Sequence, residues 1–188
     1  LPSEFVGTAT QAFQPHHEII SAEDHVQIYE ILEQNARGKF TTSFLGLDRT
    51  IKDNRLLPKG WRRDGPHAEE TKACRDDPTL SGNVSHHEAC KFLDEPGYND
   101  GSGRDLLTYA VACRSGMAGQ LTVRARLYYQ AIPPYYLKQR FATAQGPDAQ
   151  RLHYFGSRLD VANTPIAGWK LLVAETARSV DGAALCGG

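Results

Sequence analysis

Residues 121–129 read Leu-Thr-Val-Arg-Ala-Arg-Leu-Tyr-Tyr, and this alternation constrains the fold more than any other feature of the chain. Leu121, Val123, Ala125, Leu127 and Tyr129 share one side of an extended backbone, while Thr122, Arg124, Arg126 and Tyr128 share the other. A period of two predicts an antiparallel strand, half-buried, with one apolar face. Pro133 and Pro134 must end it, because neither can donate to a ladder. Upstream, residues 106–113 (LLTYAVAC) are also β-prone, and the Gly-containing connection 114–119 suits a hairpin between the two.

Beyond the prolines the period changes. Pro134 suits the first position of a helix over 135–144. Gly146-Pro147-Asp148 interrupts it, and Asp148 is placed to cap a second helix through about 160, with Leu152, Phe155 and Leu159 on one stripe. Asn163-Thr164-Pro165 ends this helix, and residues 169–173 return as a strand. The expected fold is mainly β: an antiparallel β-sandwich with an inserted helical pair at about 135–160 and a long disulfide-pinned loop. That loop is residues 62–104, rich in Asp, His, Gly and Pro, and unusually long for a structureless segment inside a compact domain. With 188 residues the chain reads as a single β-rich domain spanning 1–188.

A formal net charge of −1 gives no electrostatic case for nucleic acid or an anionic membrane. No stretch has the apolar length of a transmembrane span. Leu1-Pro2-Ser3-Glu4 lacks the pattern of a signal peptide and reads as a mature or excised start. The four cysteines, Cys74, Cys90, Cys113 and Cys186, lack zinc-site spacing, which leaves disulfides or free thiols. Cys74–Cys90 is the favoured pair, since it would order the polar loop and stabilise the fold by about 3 kcal/mol. Cys113–Cys186 would tie down the last residues. Oxidised cysteines imply a periplasmic or extracellular location; buried thiols in a reducing compartment are the alternative.

Residues 25–60 carry the most specific strings. In VQIYE, Val26, Ile28 and Glu30 alternate with Gln27, Tyr29 and Ile31 as in a strand. A turn follows at 35–38, a second β-prone stretch at 40–47, and then the polar block Lys52-Asp53-Asn54-Arg55 before Leu56-Leu57-Pro58. Asp and Asn satisfy turn donors and Arg forks onto carboxylates, so this block reads as a hinge on which the loop folds back. Together with Gln14-Pro15-His16-His17 and residues 121–132, these strings resemble the haem-free β-rich region near the C-terminus of multi-haem c-type cytochrome family proteins. The resemblance covers about two thirds of the chain, with long unmatched insertions. It implies the C-terminal part of a longer protein, or a relative that has lost its haem domain, and a cytochrome domain or subunit as partner. It also implies that His16 or His17 supplies an axial ligand to haem held elsewhere; a surface or capping role is the alternative. No cysteine is followed by His as Cys-x-x-Cys-His requires, so no haem is expected to be covalently attached.

Other candidates are weighed on chemistry alone. Asp94, Asp100 and Asp105 flank a glycine-rich stretch and offer hard oxygens for calcium; a glycine turn is the competing reading. Tyr135 and Tyr136, beside two prolines, are candidates for an aromatic binding surface. No nucleophile elbow, phosphate loop or metalloprotease motif is present, so no enzyme activity has positive support. The expected function is a haem-free structural or interaction domain of a periplasmic electron-transfer protein. The alternative is a secreted β-sandwich that binds polysaccharide or a partner protein.

Overall fold

The computed structural model describes residues 13–62, 64–67, 100–113 and 119–183, and these are mainly β, with antiparallel sheets and two helices. The chain forms two compact units, Gly7–Ala110 and a second made of Leu1–Val6 with Val111–Gly188.

The strands of the first unit are β1 (Ile19–Ile20), β2 (Ile31–Gln34), β3 (Phe40–Thr41), β4 (Arg49–Asp53) and β5 (Thr108–Tyr109). β2 is the centre of a three-stranded antiparallel sheet, flanked by β3 and β4, with Leu32 opposite Lys52 and Gln34 opposite both Phe40 and Arg49. The turn between β2 and β3 is built by Asn35, whose Oδ1 accepts the N–H groups of Arg37 and Lys39, and by Gly38 at φ 68. The β-prone stretch 40–47 pairs only through Phe40 and Thr41. Thr41 Oγ1 accepts the Ser43 N–H at 3.1 Å, and the chain winds into a 3₁₀ turn at Phe44–Gly46.

Residues 106–113 likewise depart from expectation. Only Thr108 and Tyr109 form a strand, and they pair in parallel with Ile19 and Ile20 instead of making a hairpin with residues 121–129. Of the glycines preceding this segment, Gly101 folds against Trp61 and Gly103 against Lys59. Gly103 sits at φ +67, and a Cβ there would lie 2.6 Å from the Lys59 nitrogen, so no side chain fits. Among the described residues, the buried apolar side chains of this unit are Ile20, Leu32, Leu57 and Trp61. They share the interior with Gln14, His17, Thr41, Lys52, Asp53 and Asn54.

The second unit holds β6 (Gln120–Tyr129), α1 (Pro134–Thr143), α2 (Pro147–Gly156) and β7 (Leu171–Asp181). The predicted strand is present, and its partner is β7: the two pair antiparallel from Gln120↔Asp181 to Tyr129↔Leu171, with an irregularity after Leu127. Both faces are open, so the expected half-burial is not seen; Val123, Leu127 and Tyr129 are all exposed. β7 begins two residues later than expected because Gly168 and Trp169 adopt φ 67 and 58, which no strand continues. α1 starts with Pro134 as read from the sequence. α2 is capped by Gly146 and not by Asp148, which lies in the first turn where its charge suits the helix dipole. It ends at Gly156, short of the expected 160, leaving Leu152, Phe155 and Leu159 exposed. The two helices meet through Phe141 and His153, with ring centroids 4.7 Å apart. No helix among the described residues is long and apolar enough to cross a membrane.

Candidate functional site

The alternating string at 26–30 does not form a strand, because side chains take the place of a neighbouring backbone. Val26 N–H donates to Gln14 Oε1 at 3.0 Å. The Ile28 carbonyl accepts from Lys52 Nζ at 2.8 Å and from Asn54 Nδ2 at 3.0 Å, filling both lone pairs. Glu30 N–H donates to Asn54 Oδ1 at 2.9 Å, and the Glu30 carbonyl accepts the Asn54 N–H at 3.2 Å. These bonds anchor Val26, Ile28 and Glu30 without a ladder, and they explain why Lys52 and Asn54 are buried. Arg55 completes the hinge by forking onto both oxygens of Asp53 at 2.7 Å.

His16 lies beside this clamp. Gln27 accepts the His17 backbone N–H through Oε1, which turns its Nε2 onto His16 Nδ1 at 2.9 Å. Asn54 accepts the Glu30 N–H, which turns its Nδ2 toward the same atom at 3.1 Å. Two amides, each oriented by a backbone donor, thus point N–H groups at Nδ1. The ring's hydrogen must therefore sit on Nε2, which faces Asp105 Oδ2 at 3.7 Å. Asp105 also accepts the Tyr29 hydroxyl at 2.5 Å and the Leu106 N–H at 2.7 Å. Burial lowers His16 below its ordinary 6.5, against the opposite pull of Asp105. Burial, and then the bond to Asp105, raises Tyr29 far above the usual phenol range.

His17 is buried next door and donates from Nε2 to Gln14 Oε1 at 2.9 Å, since that oxygen also takes the Val26 N–H. Its ring stacks on His25, with centroids 4.7 Å apart and planes at 20°. Burial first, and His25 second, lower His17 below 6.5. Deeper in the clamp, Lys52 pairs with Glu30 at 2.9 Å. Burial pushes both toward their neutral forms, lowering Lys52 and raising Glu30, while the pairing resists.

Measured against expectation, His16 and His17 are brought together, but as parts of a hydrogen-bonded interior. In this arrangement His16 Nδ1 faces the amides of Gln27 and Asn54, and Nε2 faces Asp105. Asp100 and Asp105 do different work: Asp100 Oδ1 accepts the Ser102 N–H in an exposed turn, while Asp105 serves Tyr29 and Leu106. Among the described residues no three His, Cys, Asp or Glu side chains are grouped to hold a metal ion. Asp94, Cys74, Cys90 and Cys186 lie outside the described residues, as does the side chain of Tyr135. Cys113 is disulfide-bonded. The Tyr136 ring is half-buried, with the Arg140 guanidinium 5.2 Å from its centroid and bonded to its hydroxyl. Sequence pattern does not single out Gln14, Gln27 and Tyr29 as site residues; their one signal is that polar side chains recur within the very strings that carry the resemblance. Compared with family models, curated proteins and solved structures, the chain finds no match.

Proposed function

We propose that this chain is a haem-free structural and interaction module of a periplasmic or extracellular multi-haem c-type cytochrome-like electron-transfer protein. One observation carries the reading. The residues in the strings that resemble that family, among them Gln14, His16, Gln27, Tyr29, Lys52 and Asn54, converge into one buried network. Such strings encode a scaffold, and a scaffold is what a haem-bearing neighbour would rest on. The disulfide at Cys113 is in keeping with an oxidising compartment. A sandwich architecture, and a loop at 62–104 pinned by Cys74–Cys90, are parts of the same proposal. The test is haem staining of the full-length parent protein after limited proteolysis. Haem should stay with a fragment bearing Cys-x-x-Cys-His, and this module should remain associated with it. A parent protein without such motifs, and with no haem-bearing subunit retained, overturns the reading. The alternative, a binding module for polysaccharide or a partner protein, draws on the exposed rings of Tyr129, Tyr154 and Phe155. A soluble polysaccharide screen distinguishes the two.

A further inference from the structure

Two neighbouring imidazoles of the first unit, His16 and His17, are set so that an added proton would conflict with the groups around each. At His16 the proton must go to Nδ1, where it would meet the N–H groups of Gln27 and Asn54 head-on. Asp105 lies on the Nε2 side, where a hydrogen is already held, so it does not relieve that clash. At His17 a charge would face His25 across the 4.7 Å stack. His25 Nδ1 is buried with no hydrogen-bond partner among the described residues, so the ring has no polar contact there to offset a charge on His17. Among the described residues, the other charged or titratable groups that act on His16 include Lys52, Glu18 and Tyr29, and those that act on His17 include Lys52, His16 and Asp24.

We propose that His16 and His17 form an acid-sensitive latch on residues 26–30. Protonation at His16 Nδ1, and of His17 against the stacked ring of His25, displaces Gln27, Asn54 and Gln14, and with them the acceptors that hold the Val26 and Glu30 amides. The direction follows from burial. The folded values of His16 and His17 lie below the unfolded 6.5, so the unfolded or opened state binds more protons. Stability is therefore full above 6.5 and is lost as pH falls through the folded values. Ordinary carboxylates titrate near 4, which leaves a separate window above them. Glu30, raised by burial, acts in the opposite sense and does not produce an acid loss.

The experiment is amide hydrogen exchange at Val26 and Glu30, corrected for intrinsic rate, from about pH 7.5 to about pH 5. Protection should fall about tenfold per pH unit for each proton taken up. The comparison is a His16→Asn, His17→Gln double variant, which keeps an acceptor at the Nδ1 position and a donor at the Nε2 position but cannot titrate. Its protection should stay flat across the window. If that variant does not fold, ring ¹⁵N shifts of the native protein decide. His16 Nδ1 should be unprotonated at neutral pH and gain its hydrogen in step with the loss of protection. Constant protection in the native protein, an equal loss in the folded double variant, or protonation out of step with opening overturns the latch.

Discussion

Asn54 holds Glu30 by both of its backbone groups: its Oδ1 accepts the Glu30 N–H at 2.9 Å, and its own N–H reaches the Glu30 carbonyl at 3.2 Å. The remaining amide hydrogens serve the Ile28 carbonyl and His16. Asn54→Ala should therefore lower stability by roughly 3 kcal/mol, since it strands several buried groups at once. Asn54→Asp keeps the acceptor for Glu30 but turns an oxygen onto the lone pair of His16 Nδ1. It should raise the His16 pKa, which a histidine NMR titration checks beside urea denaturation of both variants.

Lys52 and Glu30 form a buried ion pair, Lys52 with 3% of its side chain exposed and Glu30 with 13%. Removing either partner alone leaves an unpaired charge indoors, at a cost of about 3–5 kcal/mol. Lys52→Met with Glu30→Gln should cost much less than the two single changes added together. A double-mutant cycle in urea reads this coupling directly.

Tyr29 sets an alkaline limit. Its folded pKa lies above the unfolded 10.0, so its contribution is intact below 10 and is lost as pH rises through the folded value. Absorbance near the phenolate band should show one tyrosine that ionises only as the first unit opens. Tyr29→Phe should abolish that step and cost about 1–2 kcal/mol, because Asp105 loses a donor.

Two glycines at nearly the same φ should respond differently to alanine. Gly38, at +68, has open space around it, so Gly38→Ala costs about 1 kcal/mol of left-handed strain. Gly103, at +67, would drive a Cβ into the Lys59 backbone and should cost roughly 3 kcal/mol or more. Matched urea melts of the two variants give the comparison.

The cysteines should be oxidised throughout. Intact mass before and after reduction should differ by about four hydrogens, one pair for each of two bridges. Four alkylatable thiols in the native protein would contradict this and the oxidising compartment with it.

How legible was all this in the sequence? β6 and the proline start of α1 were readable because each depends on neighbours within a few residues. The string at 26–30 was misread as a strand because its partners, Gln14, Lys52 and Asn54, are 12 to 26 residues away and act through side chains. Local periodicity carries no trace of such bonds. The burial of Lys52 and Asn54 was equally hidden, since hydropathy assigns both residue types to the surface. His16 was singled out for its chemistry, yet its role depends on two amides whose orientation only the folded backbone fixes. Asp105 is a candidate calcium ligand on chemistry alone, and its bond from the Tyr29 hydroxyl, 76 residues away, leaves no mark in the spacing.

A backbone ladder is indifferent to which residues compose it, and so most strands tolerate wide substitution. Here that job at residues 26–30 has passed to Gln14, Lys52 and Asn54, each of which must have the right length and the right end group. The ordinary latitude of a strand is withdrawn at those positions, and the chain's capacity to drift in sequence while keeping its shape narrows to match.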